Sequence, residues 1–304
     1  MTASSTPIAS RNARMRTVLP SLLLGLLLGA GLARGEARLL TDIEYGRADG
    51  ESLRLDVSVP EGAGPFPVAI LVHGGGWSGG DKRGAEKPGS SADISPWFAP
   101  LTTAQFTWFS INYRMAPQFR WPACLEDLRT AIRWVKRHAA EFQGDPGRIV
   151  LVGHSAGGHL VCLAGCDDDP ETRVQAVVGF AAVTDFEFEL PRRGGLSTSL
   201  QALLGQPHAV TPESLALLRA MAPVNHVRAG LPPFLLVHGD QDQTVPLQES
   251  VAFQAKLRAC GVPCELIVIP GAPHRLATWA QCAPDYPEAV RAALRRLLPP
   301  PARP

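Results

Sequence analysis

The segment IVLVGHSAGGHL, residues 149–160, sets one serine among glycines between two apolar runs. Ile149–Val152 is rich in β-branched residues and reads as a strand, and His159–Ala164 opens a helix-like stretch. Gly153-His154-Ser155-Ala156-Gly157 fits G-x-S-x-G, a tight turn that lifts a serine hydroxyl above a sheet edge. The glycines leave room for a strained serine, and the free N–H groups at the start of the following helix favour a developing negative charge there. The chemistry implied is nucleophilic attack by Ser155. An ordinary strand–turn–helix corner is the plainer alternative.

Three more stretches carry groups that such a nucleophile needs. His73-Gly74-Gly75-Gly76-Trp77 directly follows an apolar strand. Its glycines allow main-chain N–H groups to turn inward, so Gly75, Gly76 and Ala156 are the expected oxyanion hole, with Trp77 the expected substrate contact. A nucleotide-phosphate cradle is the competing use of such a loop, but neither G-x-G-x-x-G nor G-K-[ST] is present. His238-Gly239-Asp240-Gln241-Asp242 offers two carboxylates after a strand. Asp242 is favoured as the partner of a catalytic histidine, and Asp240 reads as a turn cap. Pro270-Gly271-Ala272-Pro273-His274 places a histidine after the last strand, where it can reach over the serine as general base. Among eight histidines, His73 reads as structural, His138 as a helix-surface residue, and His154 and His159 as too close to Ser155 to serve as its base. The order Ser155, Asp242, His274 is that of the α/β-hydrolases.

These residues need strand ends to carry them, and the remaining pattern supplies strands. Leu39–Tyr45 and Ser52–Val59 read as a hairpin, and 66–72, 105–113, 148–152, 174–182, 234–238 and 264–269 as further strands. Helical periodicity runs over 125–140, 212–221, 247–259 and 288–298, with another helix after Ser155. Alternation of this kind predicts an α/β fold, a mainly parallel central sheet with helices on both faces, and a site beyond the carboxyl ends of the strands. The segment 185–233 reads as an insertion over one side of that site.

With those residues in view, HGGGWSGGDK, INYRMAP, DPGRIVLVGHSAGGHL, PPFLLVHGDQDQTVP and PGAPH resemble the α/β-hydrolase esterases. The resemblance is to the bacterial feruloyl and acetyl esterase-like group related to the hormone-sensitive-lipase family. It implies an α/β-hydrolase fold, Ser155 as nucleophile, Asp242 and His274 as its partners, and Gly75 and Gly76 as oxyanion glycines. It implies a cofactor-independent esterase acting on a small-molecule or carbohydrate ester. Two stretches depart from the family pattern. Pro273 precedes the histidine, and Ala181-Ala182-Val183-Thr184-Asp185 replaces the usual Y-G-P-T-D near the acyl pocket. An arylformamidase-like amide hydrolase is the second reading and a catalytically silent binding protein the third. No H-x-x-x-H ligand pair points to a metal.

Composition bounds the rest. A chain of 304 residues, 45% hydrophobic, is long enough for one large core. A formal net charge of +1 with no basic run argues against a nucleic-acid partner. Arg11, Arg14 and Arg16 precede the apolar run Val18–Ala33, which is followed by small residues. This predicts a secretory signal peptide over residues 1–35, a catalytic domain over 36–304, a secreted or periplasmic protein, and no stable membrane association after cleavage. An N-terminal membrane anchor is the alternative. Export would permit disulfides among the six cysteines, and Cys260 and Cys264, flanking a short turn, are the expected pair.

Overall fold

A computed structural model of the chain describes residues 37–84 and 94–298. The predicted signal segment, residues 1–35, lies outside the described residues. Eight strands form one sheet: β1 (Arg38–Ala48), β2 (Glu51–Val59), β3 (Phe66–Val72), β4 (Thr107–Ile111), β5 (Gly144–His154), β6 (Ala176–Phe180), β7 (Phe234–Gly239) and β8 (Cys264–Ile269). Their spatial order is β1-β2-β4-β3-β5-β6-β7-β8. The β1–β2 and β2–β4 pairs are antiparallel, and every other pair is parallel.

The central strands read as unbroken apolar runs because both faces are covered. Along β3, Val68, Ile70 and Val72 enter one core while Ala69 and Leu71 enter the other. β5 and β7 divide the same way, with Leu151 and Leu236 on the first side and Val152 and Val237 on the second. The first core is covered by α2 (Ala123–His138), α3 (Ala156–Ala164) and α7 (Leu247–Ala259). Helix α1 (Phe98–Thr103) and helix α8 (Tyr286–Leu297) cover the second.

The segment between β6 and β7 holds α4 (Phe186–Arg193), α5 (Thr198–Leu204) and α6 (Pro212–Met221). The side chains of Asp185, Ser197 and Thr211 cap their N-termini by accepting main-chain N–H groups. α6 has the predicted bounds, whereas α4 and α5 have no clear periodic signal. Pro191 lies inside α4, and glycines bracket α5 at 195 and 205. The predicted Cys260–Cys264 bridge is absent: both are free thiols. Cys264 begins β8 and is buried against the first core, while Cys260 ends α7 at its half-exposed rim. Export permits a bridge but does not aim the two side chains at each other. Among the described residues no helix is long and apolar enough to cross a membrane.

Candidate active site

Strand β5 ends at His154, and α3 starts at Ala156. Ser155 alone makes the turn, at φ 55° and ψ −119°. A non-glycine residue in such a conformation carries about 1–3 kcal/mol of strain. The surroundings impose it: Ser155 N–H donates to Phe180 O (2.9 Å), and His159 N–H to Ser155 O (2.8 Å). Space is the other constraint. A Cβ on Gly157 would stand 2.2 Å from Val72 O, and one on Gly153 would stand 2.3 Å from Gly157 O.

His274 reaches the serine from the loop after β8. Its Nε2 lies 2.9 Å from Ser155 Oγ, and its Nδ1 lies 2.7 Å from Asp242 Oδ2. An ionised carboxylate only accepts, so Nδ1 carries the proton and Nε2 offers its lone pair to the serine hydroxyl. Asp242 is held rigidly, its Oδ1 accepting the N–H groups of Thr244 (2.8 Å) and Val245 (2.9 Å). Burial pushes its pKa up, but hydrogen bonds from His238, His274 and the Val245 N–H outweigh this and hold the carboxyl well below the usual range. Asp240 is exposed and stands apart from the imidazole. Its Oδ1 accepts Gly271 N–H at 2.7 Å, tying the loop that carries His274 to the end of β7.

The glycine loop lies beside the serine. Gly75, Gly76 and Trp77 all have positive φ, at 106°, 60° and 58°. A Cβ on Gly75 would stand 2.2 Å from Gly79 O. Neither Gly75 nor Gly76 N–H donates to a protein acceptor among the described residues, and Ala156 is the first residue of α3. Gly76, Ala156 and Ser155 share one cavity of about 160 Å³ with Trp77, Phe186 and Leu200. Trp77 is buried and donates its indole N–H to His159 Nδ1 (3.1 Å), so the ring is held in place as an apolar part of the cavity wall. His73 is buried, stacked on Tyr113, with Nδ1 2.8 Å from Gly74 O. It shapes the loop from behind.

Three further side chains support the site that sequence reasoning did not place there. His154 Nε2–H donates to the main-chain carbonyl of His274 at 3.0 Å. Burial pushes the His154 pKa down to about 3, so the ring is neutral. His238 Nε2–H donates to Val245 O (2.9 Å) and stands 3.4 Å from Asp242 Oδ2, while Ser250 Oγ lies 2.7 Å from its Nδ1. Glu249 is buried in the cavity wall. The sequence signal for His238 was its place at a strand end within His-Gly-x-x-Asp. His154 and Glu249 had no comparable signal. Among the described residues no cluster of His, Cys, Asp and Glu side chains could hold a metal ion.

The BD-FAE family profile matches residues 55–257, about two thirds of the chain. The chain belongs to the BD-FAE family. Its arrangement of a serine elbow, glycine loop and mostly parallel sheet is that of an α/β-hydrolase. This BD-FAE chain is similar to a probable carboxylic ester hydrolase, LipM, of Mycobacterium tuberculosis, at 35% identity over 71% of this chain and 50% of LipM. It is also similar to the carboxylesterase NlhH of the same species, at 32% identity over 77% of this chain and 74% of NlhH. Among solved structures, an acetyl ester-xyloside bifunctional hydrolase from Caldicellulosiruptor lactoaceticus aligns with a TM-score of 0.69. The identity is 26%, over 88% of this chain and 98% of that one. The BD-FAE chain spans about half the length of the first curated relatives it matches.

Proposed function

We propose that this chain is a serine hydrolase of carboxylic esters, with acetyl, feruloyl or other short or aryl acyl groups on small alcohols or carbohydrates as its substrate class. The observation that carries the reading is the continuous hydrogen-bonded line from Ser155 Oγ through the His274 imidazole to Asp242, at 2.9 and 2.7 Å. The names of LipM, NlhH and the xyloside-active hydrolase support the ester class.

In this reading His274 Nε2 takes the serine proton as Oγ attacks the ester carbonyl. The carbonyl oxygen becomes an oxyanion facing the N–H groups of Gly75, Gly76 and Ala156, which stabilise charge that exists only after attack. The intermediate collapses, His274 returns its proton to the departing alcohol, and an acyl group remains on Ser155. Water, activated by the same imidazole, then releases the acid. Asp242 orients the ring and stabilises its transient positive charge. The chemistry uses side chains and main-chain N–H groups alone.

A panel of p-nitrophenyl esters and acetylated or feruloylated sugars, assayed with wild type and Ser155→Ala, tests the reading. Hydrolysis by the wild type and its loss in the variant support it. Equal activity in the two proteins would sink it. We also propose export through the arginine-led apolar segment over residues 1–35. N-terminal sequencing of protein from its native host should start near Glu36 or Arg38, and an intact Met1 would overturn that proposal.

A further inference from the structure

The cavity beside Ser155 contains a polar group that none of the steps above uses. Glu249, in the first turn of α7, lines the cavity and is 1% exposed. Its Oε2 accepts the N–H groups of Thr184 (2.8 Å) and Asp185 (3.1 Å). Its Oε1 is buried and has no hydrogen-bond partner among the described residues. The other charged wall residues are engaged elsewhere: Arg193 bonds Glu189 Oε2 (2.9 Å) and Thr244 O (2.8 Å). Buried polar atoms almost always find partners, and the exceptions call for a functional account.

We propose that Glu249 is a specificity-determining residue, its unpaired Oε1 hydrogen-bonding a hydroxyl carried by the ester that occupies the cavity. This rests on the serine-esterase reading. The chemical class is a hydroxylated ester, either a hydroxyacyl ester or an ester of a polyol or sugar. Three observations fit. The Oε2 bonds fix the carboxyl at the cavity wall and leave Oε1 as its oxygen without a partner among the described residues. Phe186 and Leu200 give the cavity apolar wall beside a carboxyl that is itself buried, where a hydrogen bond to a ligand hydroxyl is strengthened. Burial, reinforced by the charges of Glu189 and Asp185 against the opposing Thr184 and Asp185 N–H bonds, pushes the carboxyl pKa up to about 8. At neutral pH the group therefore carries a proton and can donate as well as accept.

The test uses two isosteric pairs, one for each arm of the ester. On the acyl arm, p-nitrophenyl 3-hydroxybutyrate is compared with p-nitrophenyl 3-methylbutyrate. On the alcohol arm, 2-hydroxyethyl acetate is compared with propyl acetate. The readout is the ratio of kcat/KM, hydroxyl over methyl, within each pair. Wild type should prefer the hydroxyl by about 10- to 100-fold on one arm, because the methyl leaves Oε1 unpaired in a dry site. Which arm shows the preference identifies the source of the hydroxyl. Glu249→Met should bring that ratio down at least about 10-fold. Glu249→Gln should keep most of it, since the amide still accepts from Thr184 and Asp185 and still donates. A wild-type ratio at or below one on both arms overturns the proposal, with no variant needed. So does a ratio that is the same in wild type and Glu249→Met, the result expected if Oε1 serves only a trapped water. Hydrolysis of none of the four esters by wild type, or hydrolysis undiminished in Ser155→Ala, would instead bring down the esterase reading and this proposal with it.

Discussion

His154 and His274 are 120 residues apart in the chain, yet the ring of one holds the main-chain carbonyl of the other at 3.0 Å. The residue before Ser155 thereby fixes the height of the His274 ring above it. The two rings pack with centroids 5.0 Å apart, which adds a steric stop to the polar one.

His154→Ala should leave the protein folded and lower kcat by roughly 10- to 100-fold, because a small misplacement of a catalytic group has that effect. KM should stay within about twofold, since no binding contact is removed. His154→Gln, whose amide nitrogen reaches near the position of Nε2, should recover part of the loss. Steady-state kinetics on one p-nitrophenyl ester, with circular dichroism of each variant, gives the comparison. A KM effect with unchanged kcat would contradict the positioning role.

The two aspartates after β7 should separate cleanly. Asp242→Asn removes the charge facing His274 and should reduce kcat by roughly 10³- to 10⁴-fold. Asp240→Asn weakens only the tie to Gly271 N–H, worth about 1 kcal/mol of stability, and should retain most activity. Ser155→Ala combined with His274→Ala should be little slower than either alone, because the line acts as a unit.

Glu249 should make stability fall as pH rises. Its folded pKa of about 8 stands above its ordinary 4.5, so the native state holds a proton that the unfolded chain has released. The associated stability is complete below about pH 4.5 and is lost as pH climbs through 8, on the order of 5 kcal/mol in all. Glu249→Gln lacks this titration. Its Tm relative to wild type should therefore be higher at pH 8.5 than at pH 5. A difference that does not change with pH would show that the carboxyl is not buried in its neutral form.

Gly157→Ala should destabilise the protein by about 2–3 kcal/mol or more, because the added methyl meets two main-chain oxygens, Val72 O at 2.2 Å and His73 O at 2.5 Å. A Tm lower by roughly 5–10 °C is expected. Activity should fall more than the folded fraction does, since the displaced strand end leads directly into Gly75 and Gly76.

Legibility in the sequence followed how local each cause was. The strand Phe66–Val72 and the helix Leu247–Ala259 have the bounds their patterns predict, because a seven-residue apolar run and a helix bounded by Pro246 before it and Gly261 just after it need no distant information. Ser155, Asp242 and His274 could be singled out because each follows a strand in a distinctive short motif. The helix α4 was not legible, since Pro191 within eight residues breaks the pattern and the Asp185 cap depends on Glu249 from α7. Nor were His154 and Glu249, whose partners lie 120 and about 65 residues away. The expected Cys260–Cys264 bridge failed for a related reason. Spacing brings two residues near each other, but the strand pleat decides where a side chain points.

Ser155, Asp242 and His274 arrive from the ends of β5, β7 and β8, and Ser155 and His274 meet across 119 residues. Loop-closure entropy makes such a meeting a late event in folding, after hairpins and helices have formed. A chain refolding from denaturant can therefore recover most of its helical signal while it is still inert. The proposed hydrolytic activity should appear only when the strand leading to His274 docks, which would make catalysis a readout of completed topology.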